Sequence, residues 1–120
     1  MSTINQVLDG MMTIDGALGA AVVDYSSGML LGSQGGGVDL ELAAAGNSDV
    51  VKAKMKTMKS LGLDGGIEDI LITLKDQLHI IRPSASNEGL FLYLVLDKRS
   101  GNLALARRKT ADLEGDMQRV

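Results

Sequence analysis

Apolar residues recur three and four apart at Ile4, Val7, Leu8, Met11 and Met12, which places them on one face of a short helix over Thr3–Met12. Thr3 or Ser2 is positioned to cap it, and Gly10 weakens its last turn. The spacing then changes. Ala17-Leu18-Gly19-Ala20-Ala21-Val22-Val23 reads as a strand, Asp24-Tyr25-Ser26-Ser27-Gly28 as a turn, and Met29-Leu30-Leu31 as the returning strand. Gly32-Ser33-Gln34-Gly35-Gly36-Gly37 reads as too flexible to continue it. Asp39 then opens a second helix to about Leu61, apolar along Ala43, Ala44, Val50, Val51, Met55, Met58 and Leu61. Gly46-Asn47-Ser48-Asp49 interrupts that stripe. One bent helix is the preferred reading, and two helices separated by a cap at Ser48 are the alternative. Gly62 stands where a left-handed terminator belongs.

Ile67–Leu74 reads as a strand, Lys75-Asp76 as a tight turn and Gln77–Arg82 as the next strand, stopped by Pro83. Ser84–Gly89 is a polar loop. Leu90-Phe91-Leu92-Tyr93-Leu94-Val95-Leu96 carries seven apolar residues in a row. Neighbouring side chains of a strand point to opposite faces, so both faces of this strand must be covered. A helix from near Ser100 presents Leu103, Ala106, Thr110, Leu113 and Met117 at helical spacing. The order is α-β-β-α-β-β-β-α. It predicts a single α+β domain over residues 1–120, a five-stranded, mostly antiparallel sheet sandwiched between helices on both faces.

Composition changes this picture in three ways. Apolar residues make up 45% of the chain, yet only Tyr25, Phe91 and Tyr93 are aromatic. That is a poor platform for stacking nucleic-acid bases. The net charge of −3 also argues against a phosphate-backbone partner. There is no cysteine, hence no disulfide, thiol nucleophile or thiolate metal site. Met1-Ser2-Thr3-Ile4-Asn5 lacks the basic start and apolar run of a signal peptide, and no segment is long and apolar enough to span a bilayer. A cytoplasmic protein is the expectation.

Gly16-Ala17-Leu18-Gly19-Ala20-Ala21-Val22-Val23-Asp24 with Ser27-Gly28, the Ala-rich helix after a glycine loop, and Leu90–Leu96 followed by Gly101-Asn102-Leu103-Ala104-Leu105-Ala106 together resemble the Roadblock/dynein light chain family. The resemblance covers nearly the whole chain and rests on small-residue patterns rather than catalytic signatures. It implies a profilin-like sheet between helices, and a homodimer in which the second helix and third strand pair with their copies. In the bacterial branch it implies association with Ras-like small GTPases. Gly46-Asn47 inside the second helix departs from the pattern.

The residues point to pairing on their own terms. If Ile67–Leu74 lies at the sheet edge, it exposes unpaired backbone beside a flat apolar run, which soluble proteins usually protect. Pairing with its twin does this isologously. The expected interface comprises Val51, Met55, Met58, Ile70, Leu71 and Ile72, with the methionines filling gaps near the symmetry axis. Equally, Met55 and Met58 fit as ordinary core facing the sheet.

Candidates for chemistry are few. Gly32 and Gly37 have the spacing of the first half of a Walker motif, but Val38 and Asp39 replace the Lys and Ser/Thr that should follow. His79, the single histidine, lacks a second ligand or a carboxylate at useful spacing, and reads as a satisfied, partly buried side chain. Asp64, Glu68 and Asp69 form an acidic patch with nothing to push their pKa values apart. Lys52, Lys56 and Lys59 form a basic stripe that is either a solvated face or a weak partner-binding surface. Arg107-Arg108-Lys109 carries no feature of an arginine finger.

These readings give no catalytic, cofactor or metal residues. They describe a non-enzymatic homodimeric module that binds a partner protein, a Ras-like small GTPase by the resemblance, and modulates its state. The alternative is a small-ligand sensor, for which Tyr93, Thr73, Gln77 and His79 are the available polar groups. A hydrolase is the weakest reading, since no nucleophile has an identifiable base.

Overall fold

The computed structural model describes all 120 residues. The first helix, α1 (Ile4–Met12), is fixed by Thr3: its hydroxyl accepts from the Gln6 amide at 3.2 Å, and the Thr3 amide donates back to Gln6 Oε1 at 2.9 Å. This reciprocal capping box satisfies two amides that the helix cannot. Ser2 plays a different part, bonding Asp116 and Gln118 so that the two chain ends lie together.

Strands β1 (Ala17–Asp24) and β2 (Met29–Gly35) form the first hairpin. Gly32–Gly35 therefore does continue the strand, contrary to the expectation from its composition. The reason is close packing. A side chain at Gly32 would meet Leu8 and Ile4 of α1, and one at Gly19 would strike the Gly36 carbonyl oxygen. The missing side chains let backbone and helix approach, and the ladder offsets the flexibility.

Helix α2 (Leu40–Ser60) is capped by Asp39, whose carboxylate accepts from the Leu42 amide at 3.2 Å. It runs unbroken through Gly46-Asn47-Ser48-Asp49, so a cap at Ser48 is ruled out. Ser48 is buried and its hydroxyl donates to the Ala44 carbonyl one turn earlier at 2.6 Å, which satisfies the group inside the helix. At the far end Gly62 has φ +74. Its amide donates to the Lys59 carbonyl at 3.1 Å and that of Leu63 to Met58 at 2.9 Å, the pair of bonds that defines a Schellman terminator.

Strand β3 spans only Ile70–Thr73, not Ile67–Leu74. Its partner β4 (Gln77–Pro83) ends at a proline with no amide hydrogen to extend the ladder. The residue before β3, Asp69, is instead held by Arg107 through bonds of 2.8 and 3.1 Å. Strand β5 (Leu90–Asp97) follows, and α3 (Leu103–Asp116) starts later than Ser100. Ser100 closes the preceding loop on Asp97 at 2.7 Å, and Asn102 supplies the cap.

The strand order is β2-β1-β5-β4-β3, with every ladder antiparallel. The sheet thus has β5 at its centre. Val7, Leu8 and Met11 of α1, Ala106 of α3 and Met117 just after it pack with Leu92, Leu94 and Leu96 on one face. Ala44 and Val51 of α2 pack with Phe91, Tyr93 and Val95 on the other. No helix is long and apolar enough to cross a membrane.

Gly46 sits on the solvent side of α2 with nothing within 4 Å of an added Cβ. Urea denaturation of Gly46→Ala should therefore show a gain of up to about 1 kcal/mol. Gly19→Ala should lose about 1–3 kcal/mol in the same measurement, because its new methyl has backbone in its way.

Candidate functional site

The feature that sets this sheet apart is its β3 edge. Helix α2 lies chiefly over β1 and β2, and α3 over β4 and β5, so β3 extends past the cover on both faces. Ile70 and Ile72 point to the α2 side and stay half-buried, while Leu71 points to the other side and is 38% exposed. Ile70–Thr73 contains no lysine, proline or bulge, the devices that usually blunt an edge. The opposite edge differs. Strand β2 carries a register irregularity opposite Val22/Val23, and it ends at Gly35 with φ +73.

The residues expected at an interface separate into groups. Ile70, Leu71 and Ile72 are together on the open edge. Met55 is half-buried and packs against the α2-side core. Met58 is half-buried beside Leu63 and Ile67 in a groove of about 430 Å³ at the end of α2. Val51 is 0% exposed, inside the core between α2 and the sheet, and so has no surface to offer a second copy. Sequence reading cannot separate Val51 from its neighbours, because periodicity marks an apolar stripe without saying what covers it. Exposed Leu42, at 72%, and Val50, at 40%, lie on α2 away from that core.

On the α2 side of the sheet the polar residues form a chain. Gln77 Nε2 donates to the Gly37 carbonyl at 3.1 Å, which turns its Oε1 toward His79 Nε2, 2.9 Å away. A carboxamide oxygen only accepts, so Nε2 carries the imidazole proton. His79 Nδ1 is then bare and accepts from the Tyr93 hydroxyl at 2.9 Å. The rings meet edge-on at 90°. Burial pushes the His79 pKa below its usual value and that of Tyr93 above it, the latter partly offset by the Asn47 amide reaching in from α2. Three of the four polar groups proposed for a ligand pocket are thus engaged with one another. The fourth, Thr73, is exposed at the sheet edge.

The remaining candidates fall into place individually. Gly37 O serves Gln77 and Asp39 caps α2, so of the glycine segment only Gly36-Gly37 is a connection, and the helix start it leads to is already occupied by a carboxylate. Lys52, Lys56 and Lys59 are exposed on α2, with Lys52 3.8 Å from Asp49. Asp69 is clamped by Arg107, whose pKa is raised chiefly by those hydrogen bonds; Asp64 and Glu68 are exposed. No group of three or more His, Asp or Glu side chains is placed to hold a metal ion.

One charged pair was not foreseen. Glu114 is 3% exposed and accepts from Arg82 Nε and from Ser84 Oγ, both at 3.3 Å. Its signal in the sequence is its place beside Leu113 on the stripe that buries Thr110 and Met117. A carboxylate on a buried stripe requires a partner. The pair ties β4 to α3 and lines a second groove, of about 390 Å³, at the end of the sheet.

No protein-family model matches the sequence, and no curated protein matches it. The fold does match solved structures. It is similar to Myxococcus xanthus MglB, with a TM-score of 0.81 at 21% identity over 93% of this chain and 89% of that one. It is similar to a Roadblock/LC7 domain from Streptomyces avermitilis, with a TM-score of 0.80 at 15% identity over 95% of this chain and 93% of that one. A structure described as MglB with tetrameric arrangement gives 0.70 at 17% identity over 94% of this chain and 88% of that one. The chain therefore has the Roadblock fold.

The His79 chain makes a pH prediction. Because its folded pKa lies below the usual 6.5, the unfolded chain binds the proton first. The stabilisation is complete above that value and is lost as pH falls below it. Thermal unfolding between pH 7.5 and 5 should show the wild type losing stability more steeply than His79→Gln. Parallel profiles would mean that His79 titrates alike in both states.

Proposed function

We propose that this chain is a non-catalytic regulatory module. It pairs with a second copy of itself through β3 and α2, and presents the combined surface to a partner protein, a Ras-like small GTPase. The observation that carries the pairing is the bare β3 edge, apolar on both sides and left open by the helices, while α2 exposes Leu42 and Val50 on its outer face. An antiparallel contact between two β3 strands would satisfy the free backbone groups and cover Ile70, Leu71 and Ile72 in one isologous step. Met58, at the rim, would fill residual gaps.

The similarity in fold to MglB structures, one of them described as tetrameric, supports an assembling module. The choice of a GTPase partner comes from the family that the sequence resembles. In this reading the catalytic groups belong to the GTPase, and the module acts by binding one nucleotide state better than the other. A ligand of this kind can shift an equilibrium only by its difference in affinity. The exposed lysine stripe Lys52, Lys56 and Lys59 on α2, with Lys52 beside Asp49, offers a secondary contact. Single-domain placement of residues 1–120 around one sheet fits this role.

Light scattering should give twice the chain mass for the wild type at tens of micromolar (roughly, for an affinity in the micromolar range). Leu71→Asp should be monomeric, since each copy would bring a carboxylate into the apolar strand pair; a loss of roughly 3 kcal/mol is over a hundredfold in affinity. A monomeric wild type would end the paired-edge model. Pull-down with a small GTPase loaded with GDP or a GTP analogue should then retain one form over the other, and equal capture would contradict state-selective binding.

A further inference from the structure

The backbone of the bare β3 edge restricts what can pair with it. In an antiparallel ladder, residues whose backbone groups bond the neighbouring strand alternate with residues whose groups point the other way. The Leu74 amide donates to the Gln77 carbonyl at 2.9 Å, closing the turn between β3 and β4. By alternation, Ile72 with His79 and Ile70 with Ile81 are bonded pairs too. A second bond agrees. The Lys98 amide donates to the Asp76 carbonyl at 3.0 Å, so Asp76, Leu78 and Ile80 face β5, and Gln77, His79 and Ile81 face β3. Leu71 and Thr73 are what remains. Their amides and carbonyls point off the sheet, away from β4.

A second copy of β3 related by a two-fold axis must set outward-pointing residues against outward-pointing residues. The axis can then pass through Leu71, Ile72 or Thr73, but not between them. Through Leu71, Thr73 would bond Asp69 of the other copy, which lies outside the strand. Through Thr73, Leu71 would bond Lys75 of the other copy, in the turn. Only through Ile72 do Leu71 and Thr73 bond each other across the copies and leave no outward group of β3 free. The side chains agree with that register. Ile72 meets its twin, Leu71 meets Thr73, and Ile70 meets Leu74, which is 43% exposed in the single chain. One step further out, Asp69 meets Lys75, which is exposed and has no carboxylate partner in its own chain. Asp69 already accepts from Arg107 at 2.8 and 3.1 Å, and a carboxylate keeps lone pairs for a further donor. An axis through Thr73 would instead lay Lys75 on Leu71, and one through Leu71 would lay Leu74 on Glu68.

We propose that two copies meet with Ile72 on the two-fold axis, and that Lys75 of each copy, set against Asp69 and Arg107 of the other, fixes the register. This register rests on the pairing through β3 proposed above. It makes Leu74 and Lys75 beside the turn, and Arg107 on α3, parts of the contact. A slip to either neighbouring axis breaks both charge pairs at once, so the contact is held from its two ends.

The chain has no cysteine, so a single introduced thiol reads the position of the axis. In this register the Ile72 Cα atoms of the two copies lie about 4.5 Å apart, as a pair without backbone bonds, which is within disulfide reach. Those of Leu71, and likewise those of Thr73, lie about 8–9 Å apart, which is out of reach. Under a mild oxidant, Ile72→Cys should give a covalent dimer on non-reducing gels while Leu71→Cys and Thr73→Cys stay largely monomeric, each variant retaining the native circular dichroism spectrum. In a dilution series followed by light scattering, Lys75→Glu should raise the dissociation constant at least about tenfold, because two attractions become repulsions. Lys109→Glu, the same charge change beside Thr13 and Asp15, should raise it less than about twofold. A wild-type dimer that links more readily through Leu71→Cys or Thr73→Cys, or that Lys75→Glu leaves as tight, would overturn the register and leave the pairing standing. A dimer that links at none of these positions would place the contact elsewhere, and a monomeric wild type would remove it; either result overturns the register and the pairing together.

Discussion

Burial of β5 on both faces is the constraint on which the rest of this structure depends. All seven residues from Leu90 to Leu96 are buried, and a strand can meet that condition only at the centre of a sheet with helices above and below. The two hairpin systems must therefore dock on β5 from either side, β1 on one and β4 on the other. Three helices then share two faces. With α1 and α3 on one and α2 alone on the other, the single helix reaches chiefly over β1 and β2. The β3 edge is left open as a geometric consequence of covering β5.

The same asymmetry explains where the polar groups went. On the face with one helix, Gln77, His79 and Tyr93 lie in a strip that α2 only partly shelters, and they satisfy one another instead of opening a pocket. A fully bonded network in a low-dielectric strip is stable, whereas a half-bonded one is costly. Asn47, an odd residue for a helix interior, lies where α2 passes Tyr93. On the other face, Arg82 and Glu114 secure α3 against the end of β4. Both networks hold a helix onto the sheet at a place where apolar packing thins.

Much of this architecture was legible in the residues. The α1 stripe, the Asp39 cap, the Gly62 terminator and the double-sided β5 each depend on contacts within a few positions, and each stands where the pattern puts it. Most of the errors come from contacts with segments distant in the chain. Gly32–Gly35 looked too flexible for a strand because its stabilising contacts are with α1. Strand β3 looked longer because Pro83, in a different strand, limits it. Ser100 looked helical because its bond to Asp97 closes the loop first. Val51 looked like a surface candidate because an apolar stripe alone does not reveal which of its members faces the sheet.

The sequence by itself determined the element order, the ends of α2 and the two-faced central strand, since these follow from periodicity and from hydrogen bonds between near neighbours. Only the tertiary structure decided which edge stays open, and which polar side chains meet across the fold. Tyr93 reaches His79 and Arg82 reaches Glu114 only because the order β2-β1-β5-β4-β3 and the seating of α3 bring distant segments together. Such pairings are set by the packing of whole layers, for which a local pattern carries no record.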